Sequence, residues 1–200
     1  MDQPHLRDLV AGSLADLIEH EWTLAMTDVG ERSTTSHLFR FMAARCATTD
    51  WDVDHEYNRN VDLSKAISFG RSDDTGEKRI YPDIILHRRG RDENLLVIEA
   101  KKGFATDEDD FDKVKALVAS RDYHYELGLL LAFGIDGPGW SAWWDHPQEA
   151  QLWNPAWSWV AFEHETGLLL IDGPEPVFES GSLAALNSAG LARARHRIGY

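Results

Sequence analysis

An unbroken apolar run, Leu95-Leu96-Val97-Ile98, lies near the middle of the chain and limits the folds open to it. A polar turn over residues 90–94 precedes this run, and the charged triplet Glu99-Ala100-Lys101 ends it. Short continuous apolar runs are typical of central strands that are covered on both faces. The run therefore predicts a β-sheet with helices packed against both sides.

Helical patterns flank this strand on both sides in sequence. Apolar residues recur at helical spacing over residues 5–26, and a second helical pattern covers about 33–46. Ser33 or Thr34 would serve as the N-cap of the second helix, because a side-chain hydroxyl can accept a bond from a free helical N–H group. A third helix is expected after Thr106, with Asp107 to Asp110 in its first turn, where acids complement the helix dipole.

Strand patterns complete an α/β architecture. They cover residues 51–57, 79–86, 95–98 and 125–133, with a tight hairpin-type turn over 90–94 and a polar turn over 69–77. The order helix, strand, strand, strand, helix, strand predicts a central mixed sheet flanked by helices. A chain of 200 residues with 43% hydrophobic content is expected to form one domain around one core.

This single domain over residues 1–200 divides into three parts. An N-terminal helix occupies residues 1–30, and the α/β core occupies 31–134. Residues 135–200 form an extension with a hairpin near 160–171 and a basic tail containing Arg193, Arg195 and Arg197. Six of the eight tryptophans lie between residues 134 and 165: Trp140, Trp143, Trp144, Trp153, Trp157 and Trp159. Large aromatic residues typically fill a core or a subunit interface, so the extension is a candidate homodimer interface, with base stacking as the alternative.

The charge balance restricts how the chain meets a nucleic acid. A net charge of −14 gives no general attraction for a polyanion, so binding would require local basic clusters and bound cations. Six residues are candidates for phosphate contact: Arg59, His87, Arg88, Arg89, Lys113 and Lys115. The alternatives are that the three at 87–89 are ordinary turn residues and that the two lysines lie on a solvated helix face.

Cysteine content and hydropathy favour a cytoplasmic protein. A single cysteine, Cys46, excludes an intramolecular disulfide and a cysteine zinc site, as is usual in a reducing compartment. No basic segment followed by an apolar stretch occurs at the N-terminus, and no apolar run has the length of a membrane helix. We therefore expect no signal peptide and no membrane association.

Two carboxylates and a lysine at the ends of adjacent strands predict a divalent-metal site. Side chains alternate along a strand, so Glu99 and Lys101 share one face, and the neighbouring strand brings Asp83 beside Glu99. Mg²⁺ prefers oxygen ligands, which Asp83, Glu99 and the backbone carbonyl of Ala100 could supply. Lys101 could orient a metal-bound water or stabilise charge on a phosphate. The alternative is a surface hairpin whose charges have no catalytic role.

Pro82-Asp83 followed by Glu99-Ala100-Lys101 resembles the signature of the PD-(D/E)XK phosphodiesterases, the restriction-endonuclease-like superfamily. The resemblance implies an αβββαβ core over about residues 31–134. It also implies Mg²⁺-dependent hydrolysis (Mn²⁺ serving as an alternative ion) of DNA, less often RNA, without a covalent intermediate. Asp83 and Glu99 would be metal ligands, and Lys101 the catalytic lysine. Members often add an acid from the helix before the first strand, for which Glu31, at the helix start, and Glu56, on the first strand, are both candidates.

The resemblance also suggests a biological setting. Such stand-alone proteins resemble components of restriction or anti-phage defence, so a companion protein could supply targeting, and many relatives act as dimers. Two other functions remain open. The chain could be a catalytically inactive binding module of the same fold, or an acidic interaction protein, such as an inhibitor that presents its negative surface to a basic partner.

Overall fold

The chain folds around a mixed β-sheet in a computed structural model. The structure describes residues 1–21, 24, 29–57, 59–60, 63–64, 66–67, 78–102, 108–136, 154–164 and 176–182. The helices with described bounds are α1 (Gln3–His20), α2 (Glu31–Cys46) and α3 (Glu108–Ala119). The strands are β1 (Asp52–His55), β2 (Arg59–Asn60), β3 (Leu63–Ser64), β4 (Ala66–Ile67), β5 (Lys78–Arg79), β6 (Ile84–His87), β7 (Asn94–Lys102), β8 (Leu127–Asp136), β9 (Asn154–Glu163) and β10 (Pro176–Ser182). Across these described ranges, no helix is both long and apolar enough to cross a membrane.

One sheet organises the molecule. Its strand order is β1-β6-β7-β8-β9-β10, and the short strands form two separate pairs, β2 with β3 and β4 with β5. Strands β7 and β8 are parallel, whereas the other neighbours in the large sheet are antiparallel. The crossover between the parallel strands contains α3, as a parallel pair requires a long connection. The α/β class and the central mixed sheet with flanking helices are thereby confirmed.

The central strand β7 is buried on both faces, as its unbroken apolar run predicts. Leu96, Ile98 and Ala100 belong to a core cluster shared with α1 and α2. Val97 belongs to a second cluster on the other face, where it packs with Val114 and other residues of α3. The alternation of side chains along β7 therefore directs Glu99 and Lys101, which have the parity of Val97, toward α3.

The hairpin between β6 and β7 determines which residues meet at the open end of these strands. Its turn contains Gly90 with a φ of 74°, a left-handed conformation that glycine adopts without strain. The antiparallel register places Ile84 opposite Ile98. Asp83 precedes Ile84 and Glu99 follows Ile98, so the hairpin brings the two carboxylate-bearing residues side by side.

Several element boundaries differ from those expected. The second helix begins at Glu31 with Gly30 as its N-cap and no side-chain capping bond, so the expected cap at Ser33 or Thr34 is wrong. The strand expected over 79–86 is interrupted before β6, where Pro82 lacks the N–H group that a strand ladder needs. The terminal hairpin pairs β9, which overlaps the expected 160–171 segment only at residues 160–163, with β10, which follows that segment.

Other expectations concern residues outside the described part. These are the turn at 69–77, Trp140, Trp143, Trp144 and Trp153, the basic tail at 193–197, and the end of the first helical pattern at 25–26. Of the two described tryptophans in the extension, Trp159 is buried in the sheet core, and Trp157 stacks on it with ring centroids 3.9 Å apart. For these two residues, the position favours packing over base stacking.

The contact of α3 with the sheet depends on a glycine in β8. A Cβ atom added at Gly128 would lie 2.6 Å from Val118 Cγ2 and 2.7 Å from Val114 Cγ1. Both contacts are shorter than real Cβ contacts allow, and both partners are stiff, β-branched core residues. The glycine therefore allows the close approach of helix and strand that brings α3 to the end of β7.

Gly128→Ala is therefore expected to lower the free energy of unfolding by about 1–3 kcal/mol, the usual cost of overpacking a core. Gly12→Ala is the matched comparison, because its added Cβ meets the flexible Arg45 guanidinium at 2.8 Å and alanine favours the helix. Urea denaturation of the two variants measures the difference. Equal stability of the two variants would contradict the tight packing of α3 on β8.

Candidate active site

Asp83 is fixed to the backbone of β7 beside Glu99. Its Oδ2 accepts a hydrogen bond of 2.8 Å from the Ala100 N–H group. Burial raises the pKa of Asp83 above its ordinary value, although the Ala100 N–H and the charge of Lys113 act in the opposite direction. The carboxylate is thus held in place by the strand while remaining partly desolvated.

Glu99 is the buried acid of the site. The residue is only 4% exposed, and its Oε1 lies 2.5 Å from the Nζ of Lys113, which reaches across from α3. Burial and, to a smaller extent, the nearby Asp83 carboxylate raise the pKa of Glu99, whereas Lys113 lowers it, and the net pKa is about 8. The ion pair with Lys113 therefore compensates the buried carboxylate only in part.

Lys101 lies in the same cluster between two other carboxylates. Its Nζ is 2.7 Å from Asp110 Oδ2, on the first turn of α3, and 3.5 Å from Glu31 Oε1, at the first residue of α2. Burial lowers the pKa of the Lys101 ammonium, but Asp110 and Glu31 raise it by more, so the net pKa lies above its ordinary value. Lys101 is therefore a permanently charged group at neutral pH.

The cluster as a whole carries an excess of negative charge. We call this set of residues the acidic cluster: Glu31, Asp83, Glu99, Lys101, Asp110 and Lys113. With all four carboxyl groups ionised, they face two ammonium groups, which leaves a formal excess of two negative charges. A bound divalent cation would reduce that excess, so the charge and the oxygen donors fit a hard metal ion.

The oxygen donors are of the type that Mg²⁺ prefers, but the described side chains do not form a complete coordination site. Among the described residues, no group of three histidine, cysteine, aspartate or glutamate side chains is arranged to hold a metal ion. The expected ligand set needs only two such side chains, Asp83 and Glu99, and takes its third protein oxygen from the Ala100 carbonyl. Lys113 lies against one oxygen of this set, so metal binding would require that contact to change.

The two candidates for an additional acid occupy different positions. Glu31 is within ion-pair distance of Lys101, and its charge also contributes to raising the pKa of Asp83. The Glu56 backbone N–H donates to the Asp83 carbonyl at 3.0 Å, but its carboxylate lies 2.6 Å from Arg32. The geometry thus brings the Glu31 carboxylate, rather than that of Glu56, to the acidic cluster.

The basic residues at 87–89 are paired with carboxylates. His87 is buried, with its Nε2 2.8 Å from Asp54 Oδ2, and Arg89 forms an ion pair with the same aspartate. Burial tends to raise the pKa of Asp54, but the bonds from His87 and Arg89 lower it to about 2. Arg88 lies 2.7 Å from Glu93. These pairs lie at the end of β6 remote from Asp83, which favours the interpretation as turn residues.

Three basic candidates for phosphate contact remain: Lys113, Lys115 and Arg59. They differ in their position relative to the acidic cluster. Lys113 contacts Glu99 directly and donates a hydrogen bond of 3.2 Å to the Tyr81 carbonyl. Lys115 is two residues further along α3, and at about 100° per residue it lies on a different side of the helix. The side chain of Arg59 lies outside the described part.

Sequence patterns alone do not bring two residues of α3 to the acidic cluster. They predict Asp110 in the first helical turn, where the structure does place it, and leave Lys113 with the alternatives of phosphate contact and a solvated helix face. The signal available in the sequence is their spacing, because residues three apart on a helix share a face. Val114 follows Lys113 directly and is buried against the sheet, so this face is the one that approaches β7.

Comparisons with known proteins add no family to this description. No family model matches the chain, and neither the curated proteins nor the solved structures contain a match. The functional interpretation therefore depends on the acidic cluster itself and on the motif that its residues form.

The raised pKa of Glu99 predicts a pH-dependent stability. The folded protein holds a proton on Glu99 up to about pH 8, whereas the unfolded chain loses it near the ordinary value of 4.5. Folded protein thus binds more protons in this window, and the free energy of unfolding falls as pH rises through it. Glu99→Gln is expected to remove this loss, so its stability relative to wild type should increase by on the order of a few kcal/mol between pH 4.5 and pH 8.

Guanidinium denaturation at a series of pH values measures this difference. Glu126→Gln is the matched control, because it makes the same substitution at an exposed position. A difference between Glu99→Gln and wild type that stays constant with pH would show that Glu99 ionises normally in the folded protein.

Proposed function

We propose that the chain is a Mg²⁺-dependent nuclease of the PD-(D/E)XK type that hydrolyses phosphodiester bonds of DNA. The observation that carries the proposal is the convergence of Asp83, Glu99 and Lys101 in one partly buried cluster with excess negative charge. The order α2, β1, β6, β7, α3, β8 supports the αβββαβ core that the resemblance implies.

Asp83, Glu99 and the Ala100 carbonyl would hold the metal ion. Mg²⁺ bound there would make a coordinated water more acidic and offset negative charge on the phosphate. The chain's own contribution is to fix these donors. The Ala100 N–H holds the Asp83 carboxylate, and the rigid central strand holds Glu99.

Lys101 would act as a cation toward the scissile phosphate. Its raised pKa makes it a poor proton acceptor at neutral pH, so its ammonium suits charge stabilisation or water orientation better than general base catalysis. Asp110 and Glu31 restrain this ammonium from two sides. Asp110 and Glu31 thus serve as positioning residues for the lysine.

The net charge of −14 constrains how substrate arrives at this site. The arginines at 88 and 89 are already paired with acids, so the described core offers little free positive charge to a polyanion. A companion protein that supplies targeting, as in restriction or anti-phage systems, fits this charge distribution. A homodimer that brings two sites to two strands remains part of the proposal.

A catalytically inactive binding module is the second candidate. It is favoured by the ion pairs Glu99–Lys113 and Lys101–Asp110, which occupy the groups that catalysis would use. The third candidate, an acidic inhibitor, is disfavoured by the clustering of carboxylates with lysines in a partly buried site. An inhibitor would need its negative charges spread over an exposed surface.

Cleavage assays on plasmid and single-stranded DNA test the nuclease directly. Asp83→Asn and Lys101→Met are each expected to reduce cleavage by ~10²-fold or more, because the first removes a metal ligand and the second removes the ammonium that stabilises the developing charge. Asp8→Asn, an exposed change on α1, serves as the control. EDTA should abolish cleavage and Mg²⁺ or Mn²⁺ should restore it. Metal-independent cleavage, or full activity of Asp83→Asn, would rule out the proposed site.

A comparison of Glu31→Gln with Glu56→Gln tests which acid completes the site. We expect the larger loss of cleavage for Glu31→Gln, because Glu31 contacts Lys101 whereas the Glu56 carboxylate pairs with Arg32. The initial rates of plasmid nicking provide the measurement. A larger loss for Glu56→Gln would indicate that the Glu56 side chain turns toward Asp83 during catalysis.

A further inference from the structure

Lys113 reaches from α3 into the acidic cluster and contacts two oxygen atoms there. Its Nζ lies 2.5 Å from Glu99 Oε1 and 3.2 Å from the Tyr81 carbonyl oxygen. The side chains on both sides of the ion pair are shielded, with 16% of Lys113 and 5% of Glu99 exposed. A monovalent cation is thus seated on the carboxylate that the proposed metal ion needs.

We infer that the Lys113 ammonium takes the place of the divalent cation in the metal-free protein and is displaced toward solvent when Mg²⁺ binds. This inference rests on the proposed metal site. It assigns to Lys113 a role distinct from that of Lys101: Lys113 regulates occupancy of the site, whereas Lys101 acts on the phosphate.

The charges of the cluster explain why the exchange is favourable. With Lys113 in place and all four carboxyl groups ionised, as metal binding requires of Glu99, the acidic cluster has a formal excess of two negative charges. Exchange of Lys113 for a dication reduces that excess to one, so the carboxylates gain compensation when the metal arrives. An ammonium and Mg²⁺ cannot both lie against the same carboxylate oxygen, because two cations at that separation repel each other strongly.

The surroundings of the two lysines explain why Lys113 moves and Lys101 stays. Lys101 is held by Asp110 and Glu31, neither of which belongs to the proposed ligand set. Lys113 is held by Glu99, which does belong to it. Its four-carbon stem is flexible, so the ammonium can leave Glu99 by side-chain rotation while α3 remains on the sheet.

Acylation of lysine amines tests the displacement in the wild-type protein. The protein is treated briefly with an acetylating ester, with or without Mg²⁺, and labelling at each lysine is quantified by peptide mass spectrometry. An amine held against a carboxylate and a carbonyl reacts slowly, whereas a released amine in solvent reacts readily. We expect Mg²⁺ to increase labelling of Lys113 several-fold while labelling of Lys115, on the same helix, stays constant.

Two further measurements make the result decisive. Asp83→Asn keeps an oxygen that can accept the Ala100 N–H but loses a metal ligand, so Mg²⁺ should not increase Lys113 labelling in this variant. Calorimetric titration with Mg²⁺ reports binding separately. If Mg²⁺ binds the wild type while Lys113 labelling stays unchanged, the inference is overturned and the metal site stands. If Asp83→Asn shows the same increase in labelling, the inference is overturned together with the role of Asp83 as a metal ligand. If calorimetry detects no Mg²⁺ binding, both the inference and the proposed metal site are overturned.

Discussion

The burial of the Glu99 carboxylate at the end of an apolar central strand is the constraint to which the rest of the site responds. A desolvated carboxylate is costly unless charges and hydrogen bonds compensate it. The strand parity that buries Val97 against α3 also directs Glu99 toward that helix. Lys113 from α3 supplies a compensating positive charge beside Glu99. This one ammonium compensates the burial only in part, because the pKa of Glu99 is still about 8.

The neighbouring strand β6 increases the free-energy cost of burying the Glu99 carboxylate. The β6–β7 hairpin places Asp83 beside Glu99, and the Asp83 carboxylate opposes ionisation of Glu99. An arrangement that served stability alone would place an apolar residue at position 99, as at 95–98. Strongly shifted acids that lie together are common at functional sites, where a substrate or metal ion supplies the missing compensation. The incomplete compensation of negative charge thus underlies both the proposed metal site and the inferred role of Lys113, whose ammonium takes the place of the metal ion in the metal-free protein.

The sequence predicts the central features because they depend on local patterns. The apolar run 95–98 identifies β7, and the short turn after β6 makes the two strands neighbours, so Asp83 and Glu99 are expected together. Helix ends are less predictable. The hydroxyls of Ser33 and Thr34 suggest a cap, but the chain enters α2 through Gly30, and Glu31 becomes the first helical residue.

Local sequence patterns do not predict contacts between segments that are far apart in the sequence. Asp110 and Lys113 reach the cluster only because α3 packs on β7 and β8 with one particular rotation, which Gly128 permits. The pairing of His87 and Arg89 with Asp54 likewise requires β1 to lie beside β6, a choice of sheet order that no short segment encodes. In both cases the contact depends on how distant elements pack, so the sequence alone does not predict the position of Asp110 in the acidic cluster or the pairing of His87 and Arg89 with Asp54.

A crystal structure of the protein soaked in Mn²⁺, with anomalous diffraction data, tests the central claim most directly. The account predicts one anomalous peak at coordination distance from the carboxylates of Asp83 and Glu99, with the Lys113 ammonium no longer in contact with Glu99. A structure without a peak at these carboxylates, in which Lys113 still contacts Glu99, would show that the cluster is a closed ion-pair network rather than a metal-dependent active site.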